Sequence, residues 1–315
     1  KENFMTYIQQ FMQKYPHLVD LMKQTEHNSK YHEEGSVWTH TCMVYTLATS
    51  KYPNNPVLEL TALLHDIGKC YVGFIEDGKT RFTGHEGYST FLAISILDDF
   101  KVPQDIKLEV LKTISLHGVN LSELRGASTL RQFRELDIMG RISAQQRGDY
   151  EPRKFITPPT ETTHTVNILV GLPASGKSTF AQFSGLPIIS RDTIIKDMYP
   201  DFTYTQAFNT VQSDPALLQL VSQKLDKLTS QLSREQKDCV IDMTNTSLSS
   251  RRKHMNKFNK AEFKATVFLP SMSTIEARNL SRPGKLIPKT VYESMMKSFV
   301  MPIRDEGFTF IDYIL

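Results

Sequence analysis

The sequence predicts two domains, an all-α helical bundle followed by an α/β domain built on a parallel sheet. Three observations carry that expectation. The chain has 315 residues, and a domain commonly takes roughly 100–200. Up to about residue 150, apolar residues recur at helical spacing; from about residue 165, short apolar runs alternate with helical ones, as parallel strand–helix–strand units require. Between these textures the run EPRKFITPPTETTH, residues 151–164, has paired prolines, several threonines and few apolar residues, the composition of a linker. The expected bounds are 1–155 for the first domain, 156–164 for the linker and 165–315 for the second.

In the first domain, Phe4, Ile8, Phe11 and Met12 mark a helix over Asn3–Leu21. Similar patterns predict helices over Thr39–Thr49, Val57–Asp66, Tyr88–Asp99, Gln104–His117 and Thr129–Arg147. Pro103 stands just before one of them, where a missing N–H is harmless. Glu76-Asp77-Gly78-Lys79 reads as the turn of a hairpin with arms Tyr71–Ile75 and Thr80–Thr83. In the second domain, Val166–Val170, Pro187–Ser190, Cys239–Met243, Ala265–Leu269 and Phe308–Ile311 are the expected strands, and Ser178–Phe183 is a helix.

Composition narrows the class without naming a partner. Hydrophobic residues make 40% and charged residues 23%, ordinary for a soluble globular chain. The net charge of +3 is too mild to diagnose a polyanion binder and does not oppose one. Cys42, Cys70 and Cys239 are far apart and odd in number, which argues against a disulfide scaffold and fits a reducing cytoplasm. No apolar run approaches the ~20 residues that span a bilayer, so no membrane partner is expected.

The sharpest motif is Gly171-Leu-Pro-Ala-Ser-Gly-Lys-Ser178, a complete GxxxxGK[ST] between an expected strand and an expected helix. Glycines let backbone N–H groups turn inward around phosphate oxygens, and the helix start adds its positive end. Lys177 would reach the β- and γ-phosphates, and the Ser178 hydroxyl would ligate Mg²⁺. Gly171, Ser175, Gly176 and Thr179 complete the expected site for ATP or another nucleoside triphosphate. Downstream, Asp192 follows a strand and can accept the proton of an attacking hydroxyl; it can also be simply a helix N-cap. Asp242 ends another strand, and Arg278 to Arg282 with Pro283-Gly284-Lys285 reads as a lid that carries cations to the phosphates. Arg251-Arg252-Lys253 and Lys257 are either a nucleic-acid contact or a solvated helix face.

A second constellation is His40, then His65-Asp66, then Asp137. A His and an Asp at one helix end can face one ion, and imidazole with carboxylate suits a transition metal better than Ca²⁺. His85 and His117 can ligate a second ion, with the Asp66 carboxylate as bridge. Two divalent ions roughly 3.5–4 Å apart clamp a phosphate and activate a water. Mn²⁺, Ni²⁺ and Mg²⁺ are the expected kinds of ion. Lys69 and Arg141 would hold the substrate phosphate; Arg141 shares a helix face with Asp137, four positions earlier. His17, His27, His32, His164 and His254 have no such context and read as surface residues.

The order His40, His65-Asp66, Asp137 within Leu63-Leu-His-Asp-Ile-Gly-Lys69 resembles the HD phosphohydrolase superfamily over about residues 35–145, and His85 and His117 resemble its two-metal members. Residues of about 165–300 resemble the 5′-OH polynucleotide kinases of the phage end-healing type. That resemblance implies Lys177 and Ser178 as the phosphate-loop pair, Asp192 as general base, Arg282 as lid arginine and Asp242 as an acid that helps hold the acceptor. The basic residue often found three positions after the base is Ile195 here, with Lys196 beside it as a candidate for the acceptor-phosphate contact. Together the halves resemble the bifunctional end-healing enzymes in which an HD module precedes a kinase module. The resemblance implies removal of 2′,3′-cyclic phosphate or phosphate from RNA or DNA ends, and phosphorylation of 5′-OH ends. Neither a KxDG ligase signature nor a DxDGT phosphatase signature is present, so the HD site would supply the phosphatase and a separate ligase would seal. One rival is a nucleotide phosphohydrolase joined to a small-molecule kinase; another is a non-catalytic nucleotide sensor joined to an RNA-binding module.

Overall fold

In the computed structural model, which describes residues 5–27, 35–118, 127–141 and 161–315, contacts divide the chain into two units. One is Lys1–Arg153 with Met296–Met301; the other is Lys154–Met295 with Pro302–Leu315. Among the described residues no helix is long and apolar enough to cross a membrane.

The first unit contains α1 (Tyr7–Lys14), α2 (Pro16–Gln24), α3 (Val37–Lys51), α4 (Pro56–Leu64) and the one-turn α5 (Lys69–Val72). A hairpin of β1 (Phe74–Glu76) and β2 (Lys79–Arg81) follows, then α6 (His85–Asp99), α7 (Gln104–Leu116) and α8 (Ser128–Met139). The helix expected over Asn3–Leu21 is two, because Pro16 has no N–H for a continuing ladder and starts α2 instead. The hairpin turns through Asp77 and Gly78, both at positive φ, as a two-residue turn between right-twisted strands favours. Its arms are shorter than expected, since Tyr71 and Val72 belong to α5. The expected helix over Thr129–Arg147 is shorter: α8 ends at Met139 with Gly140 as its cap, so Arg141 follows the helix instead of sharing it with Asp137; residues 142–147 lie outside the described residues, as do His32, residues 151–155 and residues 156–160 of the expected linker.

Helix α4 explains the layout. Asn55 caps it by accepting from the Leu58 N–H, and Pro56 occupies its first turn. Leu58, Leu60, Ala62, Leu63 and Leu64 are all fully buried, so apolar contacts surround the helix. It packs against α1, α3, α7 and α8. At about 1.5–3 kcal/mol for each buried leucine, this burial holds the end of α4 at the centre of the unit. The segment Met296–Met301 completes the same core: Phe299 meets Phe91 edge-on at 4.9 Å, and the Met301 N–H donates to Ser115 Oγ at 2.8 Å. Gly87 permits this, because a Cβ there would sit 2.1 Å from the Met296 carbonyl oxygen.

The second unit runs β3 (His164–Val170), α9 (Lys177–Phe183), β4 (Ile188–Ile189), α10 (Arg191–Met198), α11 (Tyr204–Gln212) and α12 (Pro215–Arg234). It continues with β5 (Cys239–Ile241), α13 (Leu248–Met255), β6 (Ala261–Phe268), α14 (Met272–Leu280), α15 (Lys289–Ser298, whose residues from Met296 onward belong to the first unit), a 3₁₀ turn over Arg304–Glu306 and β7 (Phe308–Ile314). The strands form one parallel sheet in the order β4-β5-β3-β6-β7. Val166, Ile168, Leu169 and Val170 on β3 are fully buried, as a central strand covered on both faces requires. From β3 the order runs to β5 on one side and β6 on the other, and such a switch point opens a crevice at the carboxyl ends of the strands.

Arg251 is neither a nucleic-acid contact nor part of a solvated face. It is fully buried, and its Nε and Nη2 donate to the two Glu306 carboxylate oxygens at 2.7 Å each. Nη1 donates to the Asn245 and Thr246 carbonyls, so α13, the loop after β5 and the 3₁₀ turn share one guanidinium. Arg252 and Lys253 are exposed, and exposed Lys257 pairs with Asp226 at 2.5 Å. Glu306→Ala strands a buried cation and is expected to cost about 3–5 kcal/mol in denaturant unfolding. The double change Arg251→Met with Glu306→Leu is expected to cost clearly less.

Candidate active sites

In the first unit, His65 and Asp66 follow directly on α4 and are therefore carried into the core. His40 comes from α3, His85 opens α6, His117 caps the end of α7 and Asp137 lies on α8. Gly84 starts α6 at φ 83°, a left-handed conformation suited to glycine. The ligand atoms of His40, His65 and Asp137 lie within 4.8 Å of one another, and so do those of Asp66, His85 and His117. Asp66 stands between the two groups. Its Oδ2 is 3.2 Å from His65 Nε2 and 3.7 Å from His40 Nε2, and its Oδ1 is 3.2 Å from His85 Nε2 and 3.8 Å from His117 Nε2.

The imidazoles are oriented alike. Nδ1 of His40 faces the Gly140 carbonyl at 3.2 Å, that of His65 the Ala62 carbonyl at 3.0 Å, that of His85 the Phe82 carbonyl at 2.9 Å and that of His117 the Ile114 carbonyl at 2.7 Å. A carbonyl only accepts, so each Nδ1 holds a proton and each Nε2 turns inward, the arrangement of a metal-ligating histidine. His65 Nε2 and Asp66 Oδ1 are buried and make no hydrogen bond despite close neighbours. Inward Nε2 atoms, two carboxylates and unsatisfied buried atoms fit a pair of divalent cations.

Burial alone would push Asp66 and Asp137 up. His65 and Lys69 at Asp66, and Arg141 at Asp137, outweigh it and hold both well below the usual carboxylate range. Burial pushes His117 down to about 4, with His85 and His65 adding repulsion, so its imidazole is neutral. For His65 burial also acts downward, but Asp66 and Asp137 raise it to about 9; ligating an ion would require it to release that proton.

Lys69 and Arg141 are engaged with the carboxylates. Lys69 Nζ donates to Asp66 Oδ2 at 2.7 Å, and Arg141 Nη2 pairs with Asp137 Oδ2, leaving Nε buried without a hydrogen bond. His27 corrects the surface reading. It is 5% exposed, places Nε2 3.2 Å from Lys69 Nζ and meets the rings of His40 and Phe82 edge-on. A backbone bridge between Glu26 and Ser36 and the bond from the His27 N–H to the Gly35 carbonyl draw it inward, and no spacing signal in the sequence announces that pairing. His164 is likewise buried, in β3 against Phe258; His254 is half-buried and His17 is exposed.

In the second unit the glycine-rich loop joins β3 to α9. A Cβ on Gly171 would approach the Phe268 carbonyl oxygen to 2.9 Å. Ala174 at φ 61° and Gly176 at φ 109° are left-handed, which turns the loop on itself. Arg278 on α14 clasps it by donating from Nη1 to the Ser175 carbonyl at 3.2 Å. Lys177 is buried and donates to the Leu172 carbonyl at 2.6 Å and Ser175 Oγ at 3.3 Å, while Ser178 and Thr179 are exposed at the start of α9. Burial lowers Lys177 to about 8 against the pull of Asp242.

Asp242 stands just beyond β5, its N–H donating to the Ile189 carbonyl at 3.0 Å. Asp192 is not the N-cap of α10; Ser190 is, accepting from the Thr193 N–H. Its Oδ1 accepts from Tyr204 Oη at 2.6 Å and its Oδ2 from Lys285 Nζ. Arg282 Nη1 is buried without a hydrogen bond. The candidate for the acceptor phosphate is not available: Lys196 Nζ is spent on the Pro200 and Phe202 carbonyls, and its neighbour Ile195 is buried against Ala207, Val211 and Val221.

Family comparison agrees with this geometry. Residues 37–144 match the HD domain, and residues 166–302 match an AAA domain. The chain carries an HD domain followed by a P-loop kinase-like domain. A similar solved structure is a protein of Chloroflexus aurantiacus proposed to be a kinase; it is 16% identical over 48% of this chain and 89% of its own, with a TM-score of 0.36. His27 and Lys285 thus lie on opposite sides of the HD match, one before it and one within the kinase-like match.

Gly68 sits between the HD pair and α6. A Cβ there would lie 2.5 Å from the His85 carbonyl oxygen and 2.7 Å from the Ser89 backbone nitrogen. Gly68→Ala is therefore expected to cost about 1–3 kcal/mol as an overpacked core substitution. It should also displace His85 and lower the metal retained per chain, read by thermal unfolding and elemental analysis.

Proposed function

We propose that this protein heals nucleic-acid ends. The HD domain removes 3′-phosphate or 2′,3′-cyclic phosphate, and the kinase-like domain transfers the γ-phosphate of ATP to 5′-OH ends. The observation that carries the reading is the Asp66 carboxylate, with one oxygen toward His40 and His65 and the other toward His85 and His117. That is the donor set for two cations around one phosphate.

In the HD site His40, His65 and Asp137 would hold one ion, His85 and His117 the other, and Asp66 both. Such ions supply Lewis acidity and an activated water when bound. Lys69 and Arg141 balance the carboxylates and stand ready to orient the phosphate of the substrate. In the kinase site the loop N–H groups and Lys177 receive the phosphates, the exposed Ser178 hydroxyl is placed for Mg²⁺, and Arg282 has a buried donor to offer transferring charge. Asp192 takes the proton of the 5′-hydroxyl, and Asp242 helps to hold the acceptor.

The test uses an oligonucleotide with a 5′-OH and a 2′,3′-cyclic or 3′-phosphate end, with labelled ATP. Asp66→Ala is expected to lower 3′-end phosphate removal at least ~100-fold and leave 5′ transfer within a few-fold; Lys177→Ala should do the reverse. Stripping the protein with a chelator should abolish 3′-end removal, and added Mn²⁺ or Ni²⁺ should restore it. Turnover of free nucleotides and small alcohols with none of the oligonucleotide would instead make the chain a nucleotide phosphohydrolase joined to a small-molecule kinase.

A further inference from the structure

The surroundings of Asp192 hold more than a general base needs. The residues that follow α14 form a short loop tied at two places. Asn279 closes its base: Nδ2 donates to the Ile287 carbonyl at 2.9 Å, and Oδ1 accepts from the Ile287 N–H at 3.1 Å. Its tip is latched to α11, where the Thr205 N–H donates to the Gly284 carbonyl at 2.8 Å and the Thr205 hydroxyl donates to the same oxygen. Gly284 has φ 62°, and a Cβ on it would lie 2.9 Å from Thr203 Cβ. Close approach and a left-handed backbone both require glycine there.

The loop places Lys285 with little freedom. Its ammonium lies 3.8 Å from the centroid of the Tyr204 ring and pairs with Asp192 Oδ2, while Tyr204 donates its hydroxyl proton to Asp192 Oδ1. Each group in this triangle therefore touches the other two. The Lys285 side chain is 17% exposed and that of Asp192 is 49% exposed, so the carboxylate is gripped from one side and open on the other. Each oxygen keeps a second lone pair for a hydroxyl arriving from the open side.

We propose that Tyr204 and Lys285 are positioning residues for Asp192, fixing its carboxylate plane and keeping it able to take the proton of the acceptor hydroxyl. The inference rests on the reading of Asp192 as the general base. In the step it serves, the hydroxyl oxygen attacks the γ-phosphorus, its proton passes to Asp192, and the bond to the bridging oxygen breaks to leave ADP. Neither Tyr204 nor Lys285 exchanges a proton or electron pair. The cation beside the base thus comes from the loop after α14.

The charged and titratable groups around Asp192 and its partner Tyr204 of α11 are Lys285 and Arg282 from that loop, Lys177 from α9 and Arg191 beside Asp192 on α10. Burial would raise the Asp192 carboxyl, but Lys285 and Tyr204 hold it below its ordinary value. A base must be ionised, so transfer is lost as pH falls through the pKa of Asp192. Removing a group that lowers that pKa moves the loss to higher pH.

The test compares Tyr204→Phe, Lys285→Gln and Lys285→Arg with the parent full-length protein. Two readouts are taken: the ¹³C titration of the Asp192 carboxyl, and the pH–rate profile of transfer from ATP to a 5′-OH oligonucleotide. For Lys285→Gln and Tyr204→Phe both midpoints should move to higher pH. A shift of one unit lowers transfer about tenfold on the acid limb. KM for ATP should stay within about threefold, and Lys285→Arg should restore the parent profile. Unchanged carboxyl titration and unchanged acid limbs in both variants would overturn the inference. Asp192→Asn separates the two ideas. If it stops transfer while the other variants keep the parent profile, only the positioning role fails. If it transfers normally, the base assignment fails and takes the positioning role with it. If the parent leaves the oligonucleotide untouched, the acceptor assignment fails, and the carboxyl titration alone decides the positioning role.

Discussion

Two carboxylates in the core of the HD domain dictate most of what surrounds them. Asp66 and Asp137 are almost wholly removed from solvent. An unpaired buried carboxylate costs several kcal/mol. That constraint accounts for Lys69 against one acid, Arg141 against the other and inward imidazoles around both. It also explains the histidine orientations, since rings tethered through Nδ1 cannot swing away and leave the acids bare. The apolar sheath of α4 is the counterpart: it brings His65 and Asp66 to a place where charge is expensive and therefore strongly directed.

The glycine-rich loop of the kinase-like domain is built from different material. Positive charge there comes from peptide N–H groups, a helix start and one lysine. The backbone bears part of the cost. Ala174 is left-handed without being glycine, a conformation worth roughly 1–3 kcal/mol of strain. The Arg278 guanidinium and the Tyr292 hydroxyl, which reach the carbonyls on either side of it, keep the loop in that shape.

Much of this was legible in the sequence, and the legible part has a common character. Strand–GxxxxGKS–helix and His65-Asp66 are local patterns whose spacing fixes which way side chains face; His40 and Asp137, 97 residues apart, were legible through the order of the motif, and the fold brings them together with His65. What escaped reading depends on contacts that no residue spacing announces, some distant in sequence and some within a single turn. His27 is buried because its backbone pairs with Gly35, and Arg251 because Glu306 stands 55 residues away. Lys196 looked available beside Ile195, but two carbonyls of the following turn claim its ammonium. Charge on a helix marks a side chain as polar; whether it meets solvent, a ligand or a backbone carbonyl is settled by the turn that follows. The hairpin was placed from its Asp-Gly turn, whereas its arms were overextended because an apolar run such as Tyr71-Val72 suits a helical turn as well as a strand.

The return of Met296–Met301 to the first unit gives that unit a discontinuous chain. Its core includes Phe299, made long after Phe91, and the Met301 amide that bonds to Ser115 is made later still. During synthesis the helices up to α8 therefore emerge with an apolar site awaiting its last occupant. Local helix pairing can begin early, but closure of the bundle waits until nearly the whole polypeptide exists. A fragment cut at the boundary between the two family matches would lack the residues that cover Phe91 and Gly87.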